Sequence, residues 1–105
     1  MSHQVAAPVG ITKANVTPGT KLPLSATHLR VIYVELTAKR AADNNTGNVF
    51  IGGTGLAAGS AEQIQLEEGD QWSRTARLGE CFDLYEMYID ADTATDGVVG
   101  YYVPE

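Results

Sequence analysis

The chain has 105 residues, of which 44% are hydrophobic and 19% charged, and its net charge at pH 7 is −6. This composition excludes an intrinsically disordered chain and fits one globular domain with its own core. No apolar run approaches the ~18 residues that a membrane helix needs, and the seven bases are scattered rather than clustered as phosphate binding requires. We therefore expect neither a membrane nor a nucleic acid as partner.

Charge is sorted along the chain. The first 34 residues carry three bases and no acid, so this part is +3 and the remainder is −9. The last 28 residues carry seven acids and no base. Complementary charge on two parts of one protein favours contact between its copies.

Cysteine usage indicates a reducing compartment. Cys81 is the single cysteine, so no intrachain disulfide can form, and residues 1–10 lack the basic and apolar regions of a signal peptide. Its acidic neighbours Glu80 and Asp83 disfavour a thiolate. We interpret Cys81 as a small buried hydrophobic residue.

Residues 1–28 are predicted to form an extended amino-terminal arm. Pro8, Pro18 and Pro23 fix φ and remove amide donors, and residues 17–20 (TPGT) are a turn signal. The prolines and the β-branched residues between them disfavour a helix.

Residues 29–105 are predicted to form one all-β domain, a small β-sandwich of the jelly-roll or immunoglobulin-like kind. The strongest strand signal is residues 29–36 (LRVIYVEL), which is apolar on both faces, as a central strand would be. Shorter strands are predicted at 48–52, at 62–66 and around Trp72. Short strands separated by turn signals are typical of sandwiches and barrels.

The last third of the chain predicts a β-hairpin. Residues 84–89 (LYEMYI) and 98–103 (VVGYYV) are alternating apolar segments, and an Asp-Gly turn signal lies between them at residues 95–97.

Three carboxylates near this turn, Asp90, Asp92 and Asp96, are a candidate calcium site because calcium prefers oxygen ligands. The spacing does not fit an EF-hand, since an alanine and a threonine stand where a ligand and the glycine are required. We interpret the segment as a solvated hairpin tip with aspartates at turn positions.

Sequence motifs for catalysis are weak. His3 and His28 lie near no serine or cysteine signature, and two histidines with one cysteine are too few for a zinc site. The glycine-rich GGTGLAAG segment lacks the GK[ST] ending of a phosphate-binding loop. We therefore expect no enzyme activity and no cofactor, and we place His28 at the surface or in an interface.

Aromatic residues raise a separate hypothesis, a stacking surface for a sugar. The alternative, which we favour, is that half of them fill the core and the others lie at subunit contacts. The residues concerned are Tyr33, Trp72, Tyr85, Tyr88, Tyr101 and Tyr102.

Four segments between residues 29 and 103 resemble small β-sandwich virion proteins of tailed bacteriophages, which decorate or cement capsids or serve as head and tail accessories. The segments are LRVIYVEL, NTGNVFIGGTG, IQLEEGDQW and DLYEMYIDADTATDGVVGYYV. The resemblance is one of pattern, and residues 1–28 lie outside it.

The resemblance implies a non-enzymatic structural role, with assembly in the host cytoplasm and a final location in the virion. The leading hypothesis is a capsid decoration or cement protein that forms a homo-oligomer, a trimer or a dimer, and binds the major capsid protein or another virion protein. The arm would make these contacts through Val5, Val9, Ile11, Lys13, Val16, Lys21 and Leu22.

Two alternatives remain open at this point. One is a carbohydrate- or receptor-binding accessory module, which would need Trp72 or tyrosines facing solvent in a groove. The other is a head-fibre or tail attachment protein, because one sandwich can serve several positions in a virion.

Overall fold

A computed structural model describes residues 7–14, 18–39, 47–53, 56, 64–93 and 96–105. These residues form nine β-strands and one 3-10 turn, Leu84–Glu86. The strands are β1 Val9–Ala14, β2 Leu22–Pro23, β3 Arg30–Ala38, β4 Val49–Gly52, β5 Ile64–Leu66, β6 Gln71–Thr75, β7 Phe82–Asp83, β8 Tyr88–Ala91 and β9 Gly97–Pro104.

The strands form two antiparallel sheets. Sheet A has the order β1-β9-β3-β6, and β7 also pairs with β3. Sheet B has the order β2-β8-β4-β5. The chain passes from one sheet to the other after β1, β2, β3, β5, β7 and β8, so most pairings join residues far apart in sequence.

β3 and β9 are the centre of sheet A. β3 pairs with β9 from Val31 to Ala38 and with β6 from Tyr33 to Thr37. Val31, Val34, Leu36 and Ala38 are fully buried, so this side of β3 faces the core. A strand with apolar residues on both faces fits this central position, as the sequence predicts.

The core lies between the two sheets. Sheet A supplies the buried side of β3 together with Val98, and sheet B supplies Val49, Ile51 and Ile89. The 3-10 turn adds Leu84, which is fully buried. The Cα radius of gyration, 13.8 Å, is close to the roughly 13 Å expected of a folded domain of this length.

The four strands predicted in the first part of the body are confirmed. β3 covers 30–36 of the predicted segment 29–36, β4 covers 49–52 of 48–52, β5 covers the described residues 64–66 of 62–66, and Trp72 lies in β6. The turn before β6 is closed by a hydrogen bond from the Asp70 amide to the Glu67 carbonyl, 3.0 Å.

The predicted hairpin between residues 84–89 and 98–103 is wrong. Residues 84–86 form the 3-10 turn, β8 lies in sheet B between β2 and β4, and β9 lies in sheet A between β1 and β3. The alternating pattern identifies strands that bury one face, but it does not identify their partners. Here both strands bury a face in the same core from opposite sheets.

The described part of residues 1–28 differs from the predicted arm. β1 pairs with β9 over six residues, and β2 pairs with β8 through Leu22 and Ile89. The two strands therefore belong to the sheets of the body. The prolines are compatible with this, because Pro23 lies in β2, an edge strand, where a missing amide donor is tolerated.

Each sheet has two edge strands, and the edges on the two sides of the molecule come from different parts of the chain. β5 and β6, the last strands of sheets B and A, are joined by residues 67–70, so these two edges lie side by side. β1 and β2 are the edges at the opposite side of the molecule. That side is built from the acid-free part of the chain, and we call it the β1–β2 side.

A glycine in β9 permits the close approach of β9 to β3. A Cβ at Gly100 would lie 1.9 Å from the Glu35 carbonyl oxygen and 3.1 Å from the Cα of Leu36. These are backbone atoms of the central strand, so they can yield only if β3 and β9 separate.

We expect Gly100→Ala to lower the free energy of unfolding by about 1–3 kcal/mol, as overpacking of a well-packed interior does. Urea denaturation followed by circular dichroism would measure the loss. Gly10→Ala is the matched control, because a Cβ at Gly10 in neighbouring β1 meets no atom within 4 Å. Equal stability of the two variants would contradict this account of Gly100.

Candidate interaction surfaces

The residues predicted for the arm contact do not form one projecting surface. Val9 in β1 is 40% exposed, whereas Ile11 packs against the core. Leu22 is half-buried in its pairing with Ile89. Lys13 is half-buried in β1, and the Lys21 ammonium lies 5.0 Å from the centre of the Tyr88 ring. Val5 and Val16 lie outside the described residues.

The feature of this segment that can bind a partner is the outer edge of β1. β1 pairs with β9 on one side, and no described strand pairs with its other side. An edge strand offers a row of amide and carbonyl groups to which an extended segment of another protein can pair. The assignment of a partner contact to this segment stays a prediction, and the edge-strand geometry of β1 was not expected from the sequence.

The outward side of sheet A carries a second surface, the sheet-A face, defined by Tyr33, Val99, Tyr101 and Val103. The rings of Tyr33 and Tyr101 lie 5.8 Å apart, and Val99 is 43% exposed. A side-chain hydrogen bond between Tyr101 and Glu35 raises the pKa of the tyrosine, with desolvation as a further cause. The face combines apolar area with hydroxyl groups, a composition typical of protein interfaces.

A groove opens between the sheets at the side of β5 and β6. It consists of two hollows of about 640 and 300 Å³ that share Arg74, Glu86 and Met87. In β6, Trp72 pairs with Leu36 and Arg74 with Val34, so both side chains lie on the core-facing side of an edge strand. Trp72 lines the smaller hollow.

Arg74 has a defined position in this groove. Its guanidinium carbon lies 4.3 Å from the centre of the Phe82 ring, a cation–π contact. Glu86, at the end of the 3-10 turn, lines both hollows and provides a carboxylate in the same groove. The groove thus combines hydrogen-bond donors, an acceptor and aromatic surface.

Asp83 organises the end of the groove. Its carboxylate accepts hydrogen bonds from the amides of Leu29 (2.8 Å) and Tyr85 (2.9 Å) and contacts Nδ1 of His28 at 2.5 Å. These bonds, that from Leu29 first, lower the pKa of Asp83 to about 2 although partial desolvation opposes the shift. His28 is 73% exposed and its ring lies 4.5 Å from that of Tyr85, so its predicted surface position is confirmed.

Cys81 lines the larger hollow and is half-buried rather than buried. A side-chain hydrogen bond with Glu105 is the main cause that raises the pKa of its thiol. A raised pKa reduces the thiolate fraction at neutral pH, so the thiol is poorly suited to act as a nucleophile.

The acidic tip at residues 90–96 is not the solvated hairpin tip that the sequence predicts. Asp96 is completely buried and accepts from the Gly47 amide at 2.7 Å, and Asp90 is 6% exposed and accepts from the Gly19 amide at 3.0 Å. Buried carboxylates need such donors. Among the described residues, no group of three or more metal-ligating side chains is placed to hold an ion.

The six aromatic residues do not form one stacking surface. Tyr33 and Tyr101 lie on the sheet-A face, Tyr102 packs against the core and Tyr85 lies at the end of the groove. Trp72 both packs against the core and lines the groove. The sequence could not reveal the groove, because its residues come from strands whose neighbours were unknown.

Comparisons with protein-family models, curated proteins and solved structures found no match to this chain. In the part of the chain that the structure describes, no helix is long and apolar enough to cross a membrane.

The hydrogen bonds of Asp83 predict a pH dependence of stability. A carboxyl whose pKa is lowered from 3.8 to about 2 stabilises the fold above pH 4, and this contribution disappears as the pH falls through about 2. We expect Asp83→Asn to lower the Tm at pH 7 and to reduce the loss of Tm between pH 4 and 2. Differential scanning calorimetry, with Asp92→Asn at an exposed position as control, would measure both effects. An unchanged pH profile in Asp83→Asn would contradict the assignment.

Proposed function

We propose that the two sheets form a jelly-roll β-sandwich. β6 and β7 lie end to end along β3, so they count as one interrupted strand and the chain has eight strand positions. Sheet A then has the order first, eighth, third and sixth, and sheet B second, seventh, fourth and fifth. This is the strand order of the jelly roll, a fold of viral capsid and lectin domains. It differs from the immunoglobulin order, in which the first two strands share a sheet.

We infer that the chain is a non-enzymatic structural protein of a bacteriophage virion, most specifically a capsid decoration or cement protein. The observation that carries this proposal is the outer edge of β1, with which no described strand pairs, in a segment that contains no acid. The resemblance of residues 29–103 to virion proteins and the strand order support it. The partner would be the major capsid protein or another virion protein, and assembly would take place in the host cytoplasm.

The mechanism would be strand addition. A segment of the capsid protein would pair with the outer edge of β1, where backbone hydrogen bonds supply affinity and alternate side chains supply specificity. Because residues 1–34, which include β1 and β2, contain no acid and carry Lys13 and Lys21, an acidic partner segment would be attracted to them. Such contacts add interface area between neighbouring capsomers and stabilise the shell.

Removal of residues 1–25 is not a suitable test, because it deletes β1 and β2 from both sheets. We instead expect Val9→Asp combined with Thr12→Asp to weaken binding to the shells of the phage that encodes this chain at least tenfold. Two acids would reverse the charge of the β1 edge, and both positions are exposed, so the fold should persist. Co-sedimentation of the chain with shells measures the effect.

Gln71→Asp provides the matched control, since Gln71 is exposed in β6 at the other edge of the same sheet. Failure of the unmodified chain to bind shells would overturn the proposed function. Binding that survives the double substitution would overturn the role of β1 alone.

The groove favours a second candidate function, a carbohydrate-binding module. Trp72 offers ring surface to a sugar, and Arg74 and Glu86 offer a donor and an acceptor for its hydroxyl groups. Jelly rolls also occur in lectins, so the fold accommodates either function.

For this candidate we expect binding on a glycan array, and we expect Arg74→Gln and Glu86→Gln each to lower the affinity for the bound glycan about tenfold or more, as loss of a charged hydrogen bond does. Both side chains are exposed, so the fold should persist. Arg74→Gln should lower the Tm slightly because it removes the cation–π contact with Phe82, whereas Glu86→Gln should leave the Tm unchanged. Glu67→Gln, at an exposed turn, is the control for Glu86→Gln. An array without hits would rule out the glycan function.

A further inference from the structure

The turn between β6 and β7 carries the most exposed large apolar side chain among the described residues, Leu78. β6 and β7 pair with the same side of β3, so residues 76–81 form an excursion from one edge of sheet A. The turn is closed by a hydrogen bond from the Glu80 amide to the Arg77 carbonyl, 2.9 Å, and Gly79 has a φ of +82°. In type II turns the third residue has a positive φ. Residues 77–80 fit this type, with Leu78 as the second residue and Gly79 as the third.

An apolar hollow of about 310 Å³ lies directly beside Leu78. It is lined by Ile32, Tyr33, Thr75, Ala76 and Val103 and by residues 77–80 of the turn, so Leu78 forms one of its walls. The hollow is continuous with the sheet-A face through Tyr33 and Val103. A single exposed leucine is common on protein surfaces and needs no explanation. Here, however, the leucine lies beside an apolar hollow large enough to hold a leucine side chain from another molecule.

The charges beside Leu78 have the same complementarity. Arg77 and Glu80 flank the tip of the turn, and among the described residues neither side chain forms an ion pair. A two-fold axis perpendicular to the line from Arg77 to Glu80 would bring the Arg77 of each copy to the Glu80 of the other.

We propose that this surface binds a second copy of the chain in a two-fold symmetric dimer, with each Leu78 seated in the hollow of its partner. A patch that contains both a projection and the adjacent cavity that fits it is self-complementary, as a symmetric dimer interface must be. Stable interfaces bury about 800 Å² per subunit, more than one leucine provides. The remaining area would come from the adjoining part of the sheet-A face, where the Tyr101 ring lies beside Tyr33. The inference does not rest on the proposed virion function.

The test is sedimentation velocity of the full chain over micromolar to submillimolar concentrations. We expect a monomer–dimer equilibrium for the unmodified chain and a dissociation constant at least tenfold higher for Leu78→Ser, since buried apolar anchors dominate such interfaces. Because Leu78 makes no buried contact in the monomer, the Tm of the variant at low concentration should not change.

Exchange of the two charges provides a second, independent test. Arg77→Glu and Glu80→Arg should each weaken the dimer, and the double variant should restore it, because exchange preserves the pairing across the axis. A monomer at all concentrations, or a dimer that Leu78→Ser leaves unchanged, would overturn the proposal. A higher oligomer that the charge exchange does not restore would overturn the two-fold arrangement.

Discussion

The fold depends on the insertion of β9, the last strand, between β1 and β3. β9 pairs with β1 from Val9 to Ala14 and with β3 from Val31 to Ala38, so it joins the two ends of the chain within one sheet. Without β9, β1 would have no described partner and sheet A would separate into two parts. The approach is close enough that Gly97 and Gly100 admit no Cβ without displacing the backbone of β1 and β3, respectively. β9 therefore requires glycine at these two positions in order to pack between β1 and β3.

The pairing of β9 also explains why the acid-free segment behaves as part of the body. A segment with three prolines and few alternating residues has a weak strand signal of its own, and its pattern favours an arm. Its strands β1 and β2 form because β9 and β8 present edges to which they pair.

Sequence reasoning succeeded where a signal is local and failed where it depends on partners. The strands at 29–36 and 48–52 follow from the pattern of apolar residues within each segment. The hairpin was wrong because alternation at residues 84–89 and 98–103 is equally compatible with strands of opposite sheets. The groove was missed for a related reason, since Arg74 and Glu86 come together through the pairing of β6 with β3 and the 3-10 turn capped by Asp83. The buried state of Asp96 was missed because its donor, the Gly47 amide, is distant in sequence.

The two contacts proposed for association are centred on opposite edges of sheet A. The β1 edge is at one end of the strand order, and the Leu78 turn extends from the opposite end, where β6 and β7 pair with β3. A dimer formed about the Leu78 turn would leave both β1–β2 sides exposed, one on each subunit. Two linked edges bind a repetitive surface more tightly than one, because the second contact forms at high effective concentration. On a capsid, whose sites repeat at fixed spacing, self-association and attachment would then reinforce each other without sharing a residue.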